Sequence, residues 1–171
     1  MKFSAALAFT DPDHYLPLAR ACEDAGFWAV ACSDHVAHPR EISSPYPYSD
    51  DGSPRFPPGT AFVDPLVAMA AMGVVTERLR FFTNIYVLPL RNPLGVAKQL
   101  ASIVSLIGNR IALGIGVGWM EEEFELLGTD FRTRGRRADE AIAIMRCLWD
   151  PEPEWFSYEG ERIGQGRENS K

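Results

Sequence analysis

Cysteine is scarce in this sequence. Cys22, Cys32 and Cys147 are the only three among 171 residues, without a Cys-x-x-Cys pair or Cys/His ligand spacing, so neither a disulfide framework nor a zinc or other metal site is expected. Positive charge is also in deficit: 17 Lys and Arg face 23 Asp and Glu, a formal net charge of −6. A nucleic-acid or anionic-membrane surface needs clustered excess Lys and Arg, so those partners are not expected. No apolar run reaches the roughly 20 residues of a membrane span. Residues 1–9 are apolar but lack the basic start, sustained apolar stretch and cleavage site of a secretory signal, and a reducing cytoplasm is the expected setting. What is abundant is apolar content, 46% of the chain. That suits one substantial core and a small-molecule partner.

The chain then shows a rhythm. Residues 2–9 are a short apolar run, and Asp11-Pro12-Asp13 offers capping chemistry for an amphipathic helix through Ala25. Gly26 stops it, and a second apolar run over 27–32 ends in Ser33-Asp34-His35, which a strand would deliver at its C-terminal end. Residues 36–62, dense in Pro, Gly, Ser and Tyr, are too long for an ordinary connection and read as a functional loop, with Tyr46, Tyr48 and Phe56 covering a substrate end or anchoring it by packing. Asp64-Pro65 opens a helix over 66–75, a third strand spans 78–87, and Asn92-Pro93 opens a helix to about Leu106. Residues 111–117 form an almost wholly apolar fourth strand, suited to a parallel sheet covered on both faces. An acidic helix follows Gly118-Trp119, then an amphipathic helix over 134–148. Four strand-helix units in series predict right-handed crossovers and a parallel α/β sheet, which either stays open or closes as a barrel once more units follow, closure needing about eight strands. One domain over 1–160 is expected, with a strand-like piece at Trp155-Phe156-Ser157-Tyr158 and a disordered tail over 161–171.

The residues with chemical potential sit at strand ends. Gly114, Gly116 and Gly118 admit two readings: close approach to a flat ligand, or relief of crowding inside a barrel. A dinucleotide-phosphate loop fits poorly, since the Gly-x-Gly-x-x-Gly spacing is broken and glutamates at the helix start would repel phosphate. Asp34 and His35 are either a polar strand end or a working pair. His14 and His38 are assigned to solvent. Glu121 to Glu125 read as a solvated helix face, and Arg132, Arg134, Arg136 and Arg137 as its partners or, less favoured, as reaching a phosphate.

The string Gly114-Ile115-Gly116-Val117-Gly118-Trp119-Met120-Glu121-Glu122-Glu123-Phe124, continued to Arg137, resembles the luciferase-like monooxygenase family, especially its deazaflavin (coenzyme F420) branch. Ala25-Gly26-Phe27 leading to Ser33-Asp34-His35, the segment from Thr83-Asn84-Ile85 to Asn92-Pro93, and Gly108-Asn109-Arg110 agree in order and spacing. The resemblance implies a TIM-type (β/α)8 barrel, here a partial barrel of about four units, with the cofactor ring over the strand C-terminal ends. It implies His35 as the catalytic group that hydrogen-bonds a substrate hydroxyl or takes its proton. Asp34, Asn84, Ile85, Gly116 and Gly118 become candidate cofactor contacts, with a non-prolyl cis peptide at Asn84-Ile85. Trp119 stands where sugar-phosphate-oxidising members have glutamate, so it either walls an apolar substrate pocket or packs in the core.

The family's phosphate site is expected on later strands, beyond this half. Three readings follow: an oxidoreductase portion moving hydride between coenzyme F420 and a small organic substrate, an FMN-dependent monooxygenase using O2, or a non-catalytic half-barrel that self-associates. A homo-oligomer is expected.

Overall fold

The computed structural model describes residues 1–57 and 59–151. The expected strand-like piece at 155–158 and the tail over 161–171 lie outside these.

Among the described residues, six short strands, β1 (Ser4–Ala6), β2 (Ala29–Cys32), β3 (Arg80–Thr83), β4 (Tyr86–Val87), β5 (Ile111–Ala112) and β6 (Ile115–Gly116), are interspersed with five α-helices. The helices are α1 (Tyr15–Asp24), α2 (Pro65–Val74), α3 (Pro93–Ile107), α4 (Glu121–Leu126) and α5 (Arg134–Leu148). Local chemistry sets the starts of two of them. Asp64 Oδ1 accepts the N–H groups of Leu66 and Val67 at 2.9 and 3.1 Å, and Asn92 Oδ1 accepts those of Leu94 and Gly95 at 2.9 and 3.4 Å. In both, proline occupies the first turn, where no N–H is needed. Gly108, at φ +76, ends α3 in a conformation that costs other residues more.

The main sheet is parallel throughout, in the order β1-β2-β3-β5. Sequential order without reversal is the winding of a barrel rather than of a doubly wound sheet, whose strand order turns back on itself. Helix packing follows the same sequence: α1 meets α2, α2 meets α3, and α3 meets α5. The core lies between these helices and the sheet, with Val30, Phe81, Leu79, Met69, Met72, Leu88 and Val96 almost wholly buried. Burial pushes the Cys32 thiol up to about 12, and Cys22 is buried too, whereas Cys147 is exposed. A thiol-specific reagent added to the native chain is therefore expected to titrate one cysteine rapidly and the other two only on unfolding.

Two expected strands are broken. The third, foreseen as continuous over 78–87, stops after Thr83, passes through a cis peptide at Asn84-Ile85 and resumes as β4. The fourth stops after Ala112 and resumes as β6, which pairs with β4 in a small second sheet. The breaks are in register: Tyr86 N–H donates to Gly114 O at 2.7 Å, and Thr83 Oγ1–H donates to the same oxygen at 2.8 Å. Nor is this fourth segment covered on both faces. Ile111 and Ile115 are only part-buried and Ala112 is exposed, and β5 pairs with β3 alone among the described residues. Beside it an apolar groove of about 620 Å3 runs between α3 and α5, lined by Leu100, Val104, Leu113, Met145 and Trp149.

Candidate active site

The strand ends converge as the rhythm demands. Cys32 pairs with Thr83 in the parallel register, and Asn84 N–H donates to Cys32 O at 2.8 Å. Ser33-Asp34-His35, Asn84-Ile85 and the glycine segment from Gly114 to Gly118 therefore emerge side by side at the C-terminal end of the sheet.

Asp34 turns inward. Its side chain is 1% exposed, Oδ2 accepts the Val87 N–H at 2.8 Å and Oδ1 accepts from Arg91 Nη2 at 2.6 Å. Arg91 also stacks on Tyr86, 4.5 Å from guanidinium carbon to ring centroid. Burial pushes the Asp34 carboxyl above the usual carboxylate range, against the lowering pull of Arg91 and the Val87 N–H. The carboxylate thus ties the exit of β2 to the exit of β4.

His35 points elsewhere. Its side chain is 13% exposed, with Nδ1 3.0 Å from Glu123 Oε2. Three rings surround the imidazole: Phe62 at 4.8 Å, Phe56 at 5.1 Å and Trp119 at 6.1 Å between centroids. Tyr46 packs on Trp119 at 5.1 Å, and Phe9, held at φ +60, packs on Phe56 at 5.9 Å. The long loop over 36–62 does reach the His35 end of the sheet, as its composition suggested. His38, however, is not in solvent. It is part-buried against Phe56, and Nδ1 lies 3.0 Å from Pro39 O, because the aromatic loop folds over it. His14 is exposed.

The acidic run is the larger departure from expectation. Glu121 and Glu125 are exposed, but Glu123 is 2% exposed and Glu122 is part-buried, because α4 docks on the loop rather than on water. Glu123 Oε1 accepts the N–H groups of Val36 and Ala37 at 2.6 and 3.2 Å. Glu122 Oε1 accepts Ser43 N–H at 2.6 Å, Ser43 Oγ–H at 2.7 Å and Ser44 N–H at 3.0 Å, and Ser44 Oγ in return accepts Glu121 N–H at 3.0 Å. A sequence signal for Glu123 existed: helical spacing puts it on one face with Met120 and Phe124, both buried, and a carboxylate in an apolar stripe needs a partner. Phe62 and Arg91 carried no such signal. Of the arginines past α4, Arg134 stacks 3.8 Å over Phe131, and Arg137 Nε donates to Pro89 O at 3.2 Å.

Burial works to raise the Glu122 carboxyl, but the bonds from Ser43 and Ser44 outweigh it and hold it at about 2, below an ordinary value of 4.5. A depressed folded value means that the clamp stabilises fully above the ordinary value and is lost as pH falls through the folded one. Hydrogen exchange at the Ser43 and Ser44 amides is expected to stay protected at pH 4 and to lose protection toward pH 2. Glu122→Gln should remove that pH dependence.

The glycines act between strands. A Cβ on Gly114 would overlap Thr83 O, and one on Gly116 would overlap Ile85 Cδ1 and Cγ1. Gly118, at φ +84, has Val87 Cγ1 at 2.8 Å and Phe124 Cε2 at 3.0 Å from the corresponding position. Gly116→Ala is expected to cost about 1–3 kcal/mol by forcing Ile85 aside, measured by thermal or denaturant unfolding.

The model of the luciferase-like monooxygenase family matches residues 4–167. An uncharacterized protein of Mycobacterium tuberculosis (strain ATCC 25618 / H37Rv) is 45% identical over 161 residues, covering 94% of this chain and 55% of the relative. An F420-dependent glucose-6-phosphate dehydrogenase of Gordonia bronchialis is 32% identical over 152 residues, 86% of this chain and 40% of the relative. The chain spans about half the length of the curated relatives it matches. Among solved structures, an F420-dependent secondary alcohol dehydrogenase in complex with an F420-acetone adduct aligns with a TM-score of 0.72 at 22% identity, over 95% of this chain and 46% of that one. The oxygenating constituent of 3,6-diketocamphane monooxygenase from Pseudomonas putida, in complex with FMN, aligns at 0.75 and 18%, over 97% and 43%. These two likenesses are of fold, that of a partial TIM-type barrel. By the family match over residues 4–167, nearly its whole length, this chain belongs to the luciferase-like monooxygenase family.

Proposed function

We propose that the chain carries the ring-facing and substrate-facing half of an oxidoreductase site that moves hydride between the deazaflavin coenzyme F420 and a hydroxyl or carbonyl carbon of a small, largely apolar substrate. The observation that carries the proposal is the His35 imidazole, held at the strand ends among Phe56, Phe62 and Trp119. A neutral imidazole there accepts the proton of a substrate hydroxyl as the carbon gives up hydride, and returns it in the reverse direction. Trp119 walls the substrate side. The aromatic set favours an uncharged, apolar substrate over a sugar phosphate.

The residues present fit a flat ring. Ile85 is 37% exposed and backed by Gly116, whose missing side chain leaves Ile85 room, so its outer face offers an apolar ledge at the end of the sheet. Asn84 is exposed beside it. Gly116 and Gly118 serve the cofactor by letting β6 close on β4. Asp34 serves it by fixing Val87 and Arg91. When bound, the coenzyme supplies the hydride acceptor carbon.

FMN is the second reading, supported by the fold shared with an FMN complex. Calorimetric titration of each coenzyme into the chain separates the two. Micromolar binding of F420 supports the proposal, binding of FMN alone moves the chain to oxygen chemistry, and binding of neither removes coenzyme chemistry from this chain. Self-association is proposed on the outer edge of β5, which among the described residues pairs with β3 alone, and light scattering is expected to read a mass above the 19.0 kDa of one chain.

A further inference from the structure

An imidazole that takes a proton needs its receiving nitrogen bare, and something must decide which nitrogen that is. We infer that Glu123 is a positioning residue that fixes the tautomer of His35, holding the proton on Nδ1 and leaving Nε2 as the base. The inference rests on reading His35 as the proton-accepting group and adds the residue that makes it competent.

Three observations carry it. Glu123 Oε2 lies 3.0 Å from His35 Nδ1, and a carboxylate offers only acceptors, so the facing nitrogen is the donor. Oε1 is taken by two fixed backbone donors, Val36 N–H at 2.6 Å and Ala37 N–H at 3.2 Å, so the carboxylate cannot rotate to release the ring. Glu123 is 2% exposed, which keeps water from substituting for either bond. The residues that grip Oε1 follow His35 directly in the chain, so one turn both presents the imidazole and anchors its orienting group. A partner that sets a histidine tautomer through Nδ1 is a general device in acid-base sites.

Glu123→Gln separates this role from simple support of the loop. Glutamine keeps the volume but replaces one oxygen with a donor. The two backbone N–H groups claim its remaining oxygen, so its NH2 faces Nδ1, which must then accept, and the ring proton moves to Nε2. A residue that merely props the loop would not move that proton.

The test is the 15N spectrum of the histidine-labelled 171-residue chain, recorded at a pH where the rings are neutral. His14, His35 and His38 are the only three histidines, and His35→Asn assigns the signal. The proton on Nδ1 in the wild type and on Nε2 in Glu123→Gln supports the inference. A wild-type ring protonated on Nε2, a wild-type mixture, or a folded Glu123→Gln chain with an unchanged tautomer overturns it. Should Glu123→Gln fail to fold, Glu123→Asp, which withdraws the carboxylate, is expected to yield a mixture, and an unchanged Nδ1–H ring there overturns the inference. No coenzyme enters the measurement, so its failure and the failure of the proposed function are seen separately. In turnover, Glu123→Gln is expected to lower kcat by on the order of 10²-fold or more with coenzyme affinity retained, as the wrong tautomer does elsewhere.

Discussion

Asp34→Ala is expected to destabilise the chain by about 3–5 kcal/mol, among the largest effects of any single substitution in the site region. At roughly 2–4 °C per kcal/mol for a chain of this size, that is a fall in Tm of roughly 6–20 °C. The reason is what stays behind. Asp34 is 1% exposed and Arg91 16%, so truncation leaves a guanidinium and the Val87 N–H buried without their acceptor. The intact pair is itself no great source of stability. Burial lifts the Asp34 carboxyl even with Arg91 beside it, which says that desolvation consumes much of the Coulombic gain. Removing both charges together should therefore cost less than the sum of the single losses. Asp34→Ala, Arg91→Met and the double variant, compared by denaturant unfolding, form the cycle that measures this. Strictly additive losses would show that the two side chains do not act as a pair.

The same pair shows where the sequence was legible and where it was not. Helix starts are local events, decided within three or four residues, and Asp64-Pro65 and Asn92-Pro93 announced theirs correctly. The order of units was legible too, because β-α alternation permits few windings. The parallel sheet followed from it, and the barrel class and the family from the resemblance that the motifs carry. The broken strands were not legible as breaks. A run over 78–87 looks the same whether or not it bends, since buried residues recur on both sides of the break, Leu79, Phe81 and Thr83 before it and Tyr86 and Val87 after it, and the bend at Asn84-Ile85 entered only through the family resemblance. Partners across the fold were the least legible. Asp34 reads as a polar strand end until Arg91, 57 residues on, is brought to it. Glu123 reads as one of four glutamates in a row of five until a loop 86 to 88 residues earlier wraps it.

His35→Asn is the substitution with the largest expected effect on chemistry. Loss of a positioned proton acceptor typically costs on the order of 10²–10⁴ in rate, and the loss should fall on kcat. Coenzyme affinity should be preserved, since the proposed ring ledge is Ile85, backed by Gly116, and not the imidazole. Asparagine is the informative replacement because it keeps a polar group of similar reach near Glu123 Oε2, limiting the disturbance of a carboxylate that also holds Val36 and Ala37. The measurement pairs F420 titration with turnover against a panel of uncharged secondary alcohols. A drop in kcat with unchanged coenzyme binding assigns His35 to proton transfer. A variant that binds F420 and turns over as fast as the wild type would remove His35 from the chemistry and leave it a packing partner of Phe56 and Phe62. A loss of binding as large as the loss of rate would make it part of the coenzyme bed instead.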